Sequence, residues 1–476
     1  MTGIVSYGGH VPALRIERNV IAEAWGRKAI KGERSVANND EDSITMAVEA
    51  ALNCINSKER QDIEGLFFAS TTAPYQEKMN SALISTATDL KRKIVTCDFS
   101  NSLRSGTAAL RAGLDSVKSG STRNLLVTSA DQRLCYPKSD GEQIFGDGSA
   151  SVLIGRENLV ATYEGSCSIT NEMMDVWRNP EDRYVKMWEG RFVLGEGYAA
   201  HIKEIIGAIL DKYNLTPRDI TKLILPATDG RICKKLAKDL GFDENVQVQD
   251  TLLSDIGHCG TAQPLMMLCA ALEEAEPGDL ILLTAYGDGA DAFLFKTTEK
   301  VTEKVNRFSM KTMIENKLML SQYGRFLSYK NILEPQPGEP FRLLPSATVS
   351  WRERNSSLRC YGSKCRKCGH TTFPIQRVCY HCRSKDEFDE VRISDRGGMV
   401  FTFTRDNIAG RSDDPVVIQT VADIDGGVRF YGLMTDCDPS KVELKMQVDM
   451  TFRRFYDGAG FHNYFWKLRP IRKQGE

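Results

Sequence analysis

Hydrophobic and polar positions follow two different rhythms along this chain, and the change between them marks its organisation. Over residues 1–300, apolar runs at Ile4–Tyr7, Gly65–Ala69, Asn124–Ser129 and Ser151–Gly155 alternate with helical patterns at Met46–Ile55 and Ala108–Val117. Runs with no polar alternate face suit strands covered on both sides, so the alternation predicts an α/β body. A weaker order lies on top of it. Gly146-Asp147-Gly148 precedes SASVLIG and Gly287-Asp288-Gly289 precedes ADAFLF, each after a run such as NLLVTSAD or LILLTAYGD. A repeat spacing of about 140 residues is longer than solenoid periods and predicts a duplicated unit. From Thr297 to about Pro340 the pattern turns charged and helical, ending in EPQPGEP, whose prolines and glycine break a helix. Beyond it, Met399–Thr404, Val416–Val421, Val428–Leu433 and Gln447–Phe452 alternate between Gly/Asp turns, as in a small antiparallel barrel. The expected division is two α/β halves at 1–165 and 166–298, a helical linker at 299–345, a cysteine-bearing module at 346–394 and a barrel at 395–476.

Composition narrows the class without choosing a function. A chain of 476 residues exceeds what one core organises, and a net charge of -1 with 26% charged and 41% hydrophobic residues excludes disorder and a strongly basic surface. The start, MTGIVSYGGHVPALRI, has no charged region before an apolar run. No stretch approaches the ~20 apolar residues of a membrane span. No membrane association is expected, and the localisation expected is cytoplasmic. Thirteen cysteines are scattered through the chain, and one group among them is regularly spaced.

That group is Cys365-x-x-Cys368 with Cys379-x-x-Cys382, in CRKCGHTTFPIQRVCYHC. Each C-x-x-C turn brings two thiolates to one ion, and two of them complete a tetrahedral zinc shell with no open position. The zinc is therefore expected to be structural, supplying folding energy. Gly369 suits the tight turn, while Cys360, His370 and His381 are expected to be neighbours rather than ligands. Four unrelated cysteines or two disulfides are the competing readings. The tail's basic excess is modest and lacks the aromatic interleaving of single-strand binders, which argues against nucleic acid as a partner.

Residues 1–300 resemble the archaeal type of hydroxymethylglutaryl-CoA synthase, of the thiolase superfamily. The matching segments are GIVSYGGHVPALRI, ERSVANNDEDSITMAVEAA (33–51), SGTAAL (105–110), MDVWRNPEDRYVKMWEGRF (174–192) and GDLILLTAYGDGADAFLF (278–295). From about residue 346 the chain resembles the zinc-ribbon and OB-fold proteins that accompany such enzymes. There the matches are CxxCG, FP, CxxC, RGGMVFTFT, ADIDGGVRFYGLMTDCDP and K-x-x-V-D-x-x-F. The resemblance implies a thiolase-like duplicated five-layer αβαβα body, a rubredoxin-like zinc ribbon and an OB-fold β-barrel. It also implies coenzyme A as part of the substrate, and a homodimeric core. In those relatives the small protein is usually separate and bridges acyl-CoA enzymes, which implies docking to a thiolase-type subunit.

The family's chemistry needs a cysteine that accepts an acyl group, a histidine and an acid/base residue. At the cysteine's place, in NSLRSGTAAL, this chain has Leu103, which cannot form an acyl-enzyme. The glutamate's place in ASTTAPYQEK is Thr71, and KLILPATDGRICKKLA (222–237) contains no histidine. His258, in SDIGHCGTAQP, stands where the superfamily carries asparagine or histidine and is the catalytic candidate, able to polarise a thioester carbonyl. A histidine satisfied by a structural hydrogen bond is the competing reading. Cys259 is a candidate replacement nucleophile. Ser102, Ser105 and Thr107 are expected to cap the buried helix, and Cys97 to act as a small hydrophobe. Glu142, Asp147 and Arg191 are read as structural.

Three functions remain open on these residues. One is a synthase-like subunit of a complex that makes or cleaves C–C bonds in β-ketoacyl-CoA, its acyl-cysteine supplied by a partner thiolase chain. Another is an autonomous aldolase or retro-aldolase on an acyl-CoA, using His258 and a pocket tyrosine. The last is a non-catalytic scaffold.

Overall fold

A computed structural model describes residues 1–55, 59–303, 306–333, 344–411 and 414–471; EPQPGEP lies outside the described residues. The body's strands are β1 (Gly3–His10), β2 (Ile63–Ala69), β3 (Val95–Phe99), β4 (Asn124–Gln132), β5 (Asp147–Gly155), β6 (Ala161–Thr170), β7 (Lys222–Ile224), β8 (Leu280–Tyr286) and β9 (Gly289–Thr297). Their spatial order is β7-β8-β9-β6-β1-β5-β4-β2-β3. Cut between β6 and β1, this order is one unit repeated. β1 and β6 pair antiparallel with β5 and β9. Those strands pair antiparallel with β4 and β8, which lie parallel to β2 and β7. The two Gly-Asp-Gly turns lead into β5 and β9, equivalent strands of the two units, so the repeat seen in the sequence is a repeat of topology.

The remaining layers are made by helices that include α1 (Ser43–Cys54), α2 (Ser105–Ser119), α3 (Ala200–Tyr213), α4 (Gly230–Asp239) and α5 (Gln263–Glu274). α2 and α5 pack on each other between the two units, α1 lies outside β1, β4 and β5, and α3 lies outside β6, β8 and β9. This is the five-layer αβαβα arrangement. α1 starts where Asp42 accepts from the Thr45 N–H and Thr45 returns the bond, a capping box. α2 ends at Gly120, whose φ of 85° closes the helix in the left-handed region. At the other end of α2 a Cβ on Gly106 would lie 2.5 Å from the Thr261 carbonyl oxygen, so glycine allows the loop before α5 to touch the helix.

The stretch expected as a helical linker does hold short helices, Met310–Glu315 and Tyr323–Tyr329, but it is also woven into the body. Its strand Leu318–Leu320 pairs with Leu14–Glu17. Just beyond, the buried Lys330 ammonium donates to both Asp147 oxygens at 2.7 and 2.8 Å. Asp147 also accepts from the Ala37 N–H.

At the C-terminus, β10 (Gly398–Asp406), β11 (Val417–Ile424), β12 (Val428–Met434), β13 (Gln447–Gly458) and β14 (Phe461–Pro470) close a barrel in the order β10-β11-β12-β14-β13. Alternate residues of β12 are buried, and Phe430, Phe452, Trp466 and Leu468 fill the interior. Before it lies a three-stranded ribbon centred on Tyr361–Cys365. The barrel is seated on the α1 side of the body through buried charges. Arg453 pairs with Glu41 at 2.6 Å and with Asp40 and Asp436, while Arg469 pairs with Glu49 at 2.7 Å and Asp449 at 2.8 Å. No described helix is long and apolar enough to cross a membrane.

Candidate active site

β2, β3 and β4 run parallel, so the loops after them emerge at one edge, where ligands of α/β sheets commonly bind. There they enclose a cavity of about 150 Å³, lined among others by Thr71, Leu103, Arg133, Asp175, Trp177 and Asp288. Its frame is Asp131, near the end of β4 and fully buried. Asp131 accepts hydrogen bonds from Ser70 Oγ, Thr71 N and Oγ1, Thr72 Oγ1 and Thr261 N, at 2.8–3.1 Å. One carboxylate thus ties the loop after β2 to the loop before α5. Gly260 makes that approach possible: its φ is 59°, and a Cβ there would lie 2.2 Å from Asp131 Oδ2.

Leu103 faces into the cavity opposite Gly287, whose added Cβ would be 3.4 Å from the Leu103 Cβ. Its neighbour Arg104 fixes that loop in place, donating to the carbonyls of Gly287, Ile169 and Asp288 at 2.6–3.1 Å and pairing with Asp291 at 3.1 Å. The position that the resemblance assigns to the family's nucleophile is therefore well formed and holds an aliphatic side chain. The nearby thiols do not replace it. Cys259 is fully buried, and burial with the charge of Asp147 pushes its thiol up to about 12. Cys97 is half-buried and also raised, chiefly by burial. Neither lines the cavity.

The hydroxyls expected to cap α2 divide differently. Ser102 Oγ accepts from the Arg104 N–H at 3.2 Å, and Ser105 Oγ accepts from the Ser102 N–H at 3.3 Å. Thr107 instead donates to Asp291 at 2.7 Å, tying α2 to β9.

His258 is buried and is not among the cavity's lining residues. Its Nδ1 accepts from the Gly260 N–H at 3.3 Å, which places the proton of the neutral ring on Nε2. Burial, reinforced by the Arg133 charge, pulls its pKa down to about 3. It is a neutral hydrogen-bond donor, and it cannot serve as a cationic acid.

Two cavity groups, Asp175 and Arg133, and Tyr286 beside them escaped the sequence reading. Asp175 lines the cavity, and burial raises its pKa even though Tyr286 and Arg133 oppose the shift. Tyr286, at the end of β8, lies against Asp175, and its buried hydroxyl meets no partner at hydrogen-bond geometry among the described residues. Arg133 follows β4, is 4% exposed and stacks 4.3 Å above the Phe145 ring. Asp175 and Tyr286 were visible in the segments MDVWRNPEDRY and LILLTAYGDG, but nothing local distinguished them from turn and strand residues. Of the residues read as structural, Glu142 accepts from Trp25 Nε1, Tyr323 and Lys138 N, and Arg191 is exposed.

The four cysteines of the ribbon converge, their sulfurs all within 4.8 Å of one another. Cys365 and Cys382 Sγ are 3.6 Å apart, as are Cys368 and Cys379 Sγ. Zn–S bonds of about 2.3 Å give a tetrahedron with edges of about 3.8 Å, so this set fits zinc without rearrangement. Gly369, with φ of 73°, follows the first pair. Cys360 is buried away from the cluster, and His370 and His381 stack on each other rather than joining it.

Comparison with known proteins agrees with both parts. Residues 210–294 match the family of the 3-oxoacyl-[acyl-carrier-protein (ACP)] synthase III C terminal, and residues 361–388 match the ChsH2 rubredoxin-like zinc ribbon domain. The chain is 32% identical over 345 residues to a hydroxymethylglutaryl-CoA synthase of Methanopyrus kandleri, covering 70% of this chain and 98% of that protein. It is 32% identical over 341 residues to that of Methanosarcina mazei, covering 69% and 97%. Among solved structures, an HMG-CoA synthase complexed with CoA superposes with a TM-score of 0.63 at 18% identity, over 72% of this chain and 95% of that one. The 3-oxoacyl-[acyl-carrier-protein] synthase III of Aquifex aeolicus superposes with a TM-score of 0.54 at 21% identity, over 62% and 100%.

Proposed function

Because the chain belongs to the hydroxymethylglutaryl-CoA synthase family, we propose that it makes or cleaves C–C bonds in CoA thioesters without an acyl-cysteine of its own. The observation that carries this reading is Leu103 in the wall of the cavity, with no cysteine among the lining residues. The cavity, the buried α2 and the Asp131 frame are kept while the nucleophile is gone. In the first form of this reading, the chain is a subunit of a thiolase-type complex acting on a β-ketoacyl-CoA, and a partner chain supplies the acyl-cysteine. The fused ribbon and barrel support it, because the relatives of that module bridge acyl-CoA enzymes.

A second form is favoured by Asp175. A retro-aldol cleavage of a β-hydroxyacyl-CoA needs a base for the hydroxyl proton and a donor for the enolate oxygen, but no nucleophile. Asp175, which lines the cavity beside Tyr286 and whose pKa burial raises, has the character of that base. His258 does not line the cavity and is not assigned the donor role.

The two forms are separated by assaying the chain alone and with its co-purifying partner on a panel of β-ketoacyl-CoA and β-hydroxyacyl-CoA esters. Ketoacyl cleavage that requires the partner and free CoA supports the subunit. Release of a carbonyl product from a hydroxyacyl ester by the chain alone replaces it with the aldolase. No turnover of either ester under both conditions would leave the scaffold reading in place of both.

A further inference from the structure

The proposed cleavage has a base in Asp175 but no donor for the oxygen that becomes negative. A buried cation is at hand. Arg133 is 4% exposed, yet it makes no hydrogen bond and no ion pair among the described residues, its one contact of note being the Phe145 ring. A guanidinium carries five N–H donors, and leaving them unmatched in a buried site is costly. The nearest carboxylates do not match them. Asp131 is taken by Ser70, Thr71, Thr72 and Thr261 N, and Asp175 lies outside ion-pair distance. None of the guanidinium nitrogens is sealed off, and the residue lines the cavity with Leu103 and Asp175, so the donors open onto that space. The side chain is held from two sides, by the Phe145 ring and by Gly260, where an added Cβ would lie 2.9 Å from Arg133 Cδ. Several other donors around the cavity are already committed. Thr71 N and Oγ1 donate to Asp131, Arg178 donates to the Thr71 carbonyl, and the Gly287 N–H donates to the Gly289 carbonyl at 3.1 Å.

We infer that Arg133 is a catalytic residue of this cavity, its guanidinium donating to the thioester carbonyl oxygen and stabilising the enolate that forms there when the C–C bond breaks. This inference rests on the reading of the cavity as an acyl-CoA site. It holds for both forms of that reading, because cleavage of a β-ketoacyl or a β-hydroxyacyl ester leaves the electron pair on the thioester fragment. In the β-hydroxy case Asp175 takes the hydroxyl proton, the Cα–Cβ bond breaks to release the carbonyl product, and the electron pair moves onto the thioester as its enolate. Protonated Asp175 then returns the proton to Cα, so atoms and charge balance without a co-reactant. A cation fixed in a largely buried site favours the enolate over the neutral ester that precedes it, and that difference is what lowers the barrier. The place beside Leu103 suits this role, since a residue standing where the resemblance puts an acyl-accepting cysteine is within reach of a thioester carbonyl.

The test reads the carbonyl itself. The full-length, zinc-loaded chain is mixed with acetyl-CoA labelled isotopically at its thioester carbonyl, and the C=O stretch of the bound ester is measured by difference infrared spectroscopy. In the wild-type complex the stretch is expected at lower frequency than in free acetyl-CoA, because the cation polarises the bond. Arg133→Met is expected to lose that downshift with acetyl-CoA still bound, and Arg133→Lys, which keeps a charge but no planar fork, to retain part of it. Arg133 has no protein partner to lose, so Arg133→Met should melt no lower than the wild type. For whichever ester the wild type cleaves, kcat of Arg133→Met should fall by about 10²–10³-fold, with KM changed far less. An unshifted carbonyl in the wild-type complex overturns the inference while sparing the acyl-CoA reading. A downshift that persists in Arg133→Met also overturns it. Failure of the wild-type chain to bind acetyl-CoA removes both.

Discussion

Single residues set the chemistry of the cavity, and two of them give sharp expectations. His258 is held neutral, its pKa pulled from 6.5 to about 3 by burial and Arg133. In the unfolded chain it takes up a proton near its ordinary pKa, whereas in the fold it resists until about pH 3. The unfolded state thus binds more protons across this window, and stability falls as pH drops through it, by about 1.4 kcal/mol per pH unit. His258→Gln should flatten this slope below pH 6.5 and leave stability above pH 7 nearly unchanged, as read by urea unfolding of both proteins across pH. Asp175→Asn should lower cleavage of a hydroxyacyl ester by the isolated chain by roughly 100-fold or more, with the CoA ester still bound. An unchanged rate would remove Asp175 as the base. The sequence singled out His258 because one position in a motif carried it. Arg133, Asp175 and Tyr286 stayed hidden because the fold gathers them from separate segments at and beside the cavity, and burial alone makes them unusual.

At the scale of elements, the ribbon and α2 behave as units. The ribbon's sheet is small, so its fold depends on the metal more than on a core. Cys368→Ser, or chelation of the wild-type chain, should release about one zinc per chain by metal analysis and expose Trp351 and Tyr380 segments to proteolysis, while the α/β body keeps its circular dichroism. In α2, Gly106→Ala sets a methyl against the Thr261 carbonyl and should cost about 1–3 kcal/mol in unfolding free energy. The spacing of the four cysteines was legible because the ligand set is local in sequence. The strand β14 was not picked out beforehand: FHNYFWKLRP mixes aromatic and charged residues, and only closure of the barrel shows which of them face inward.

Over the whole molecule, the barrel is joined to the body by charges removed from water. Arg453 is fully buried with Asp40, Glu41 and Asp436 around it. Burial works against its charge, but these carboxylates more than offset that and hold its pKa raised. Glu49, under Arg469, is held down to about 2 although burial alone would raise it. Removing one partner leaves the others buried and uncompensated. Arg453→Met should therefore destabilise the chain by about 3–5 kcal/mol in denaturant unfolding. A shift below 1 kcal/mol would mean that water already reaches the network. The charges lie as far apart in sequence as Asp40 and Arg453, which is why a near-neutral overall balance gave no hint of them.

The sequence by itself determined the α/β class, the duplication and the clustered cysteines of the ribbon, because each is written in local period, spacing or motif. Tertiary structure alone decided that the stretch after Thr297 closes over the body through Lys330 and Asp147, that the barrel sits on α1, and that Arg133 and Asp175 share a cavity with Leu103. The physical reason is the same in each case. Burial and electrostatic pairing depend on which distant segments meet, and a sequence records periodicity along the chain rather than proximity across it.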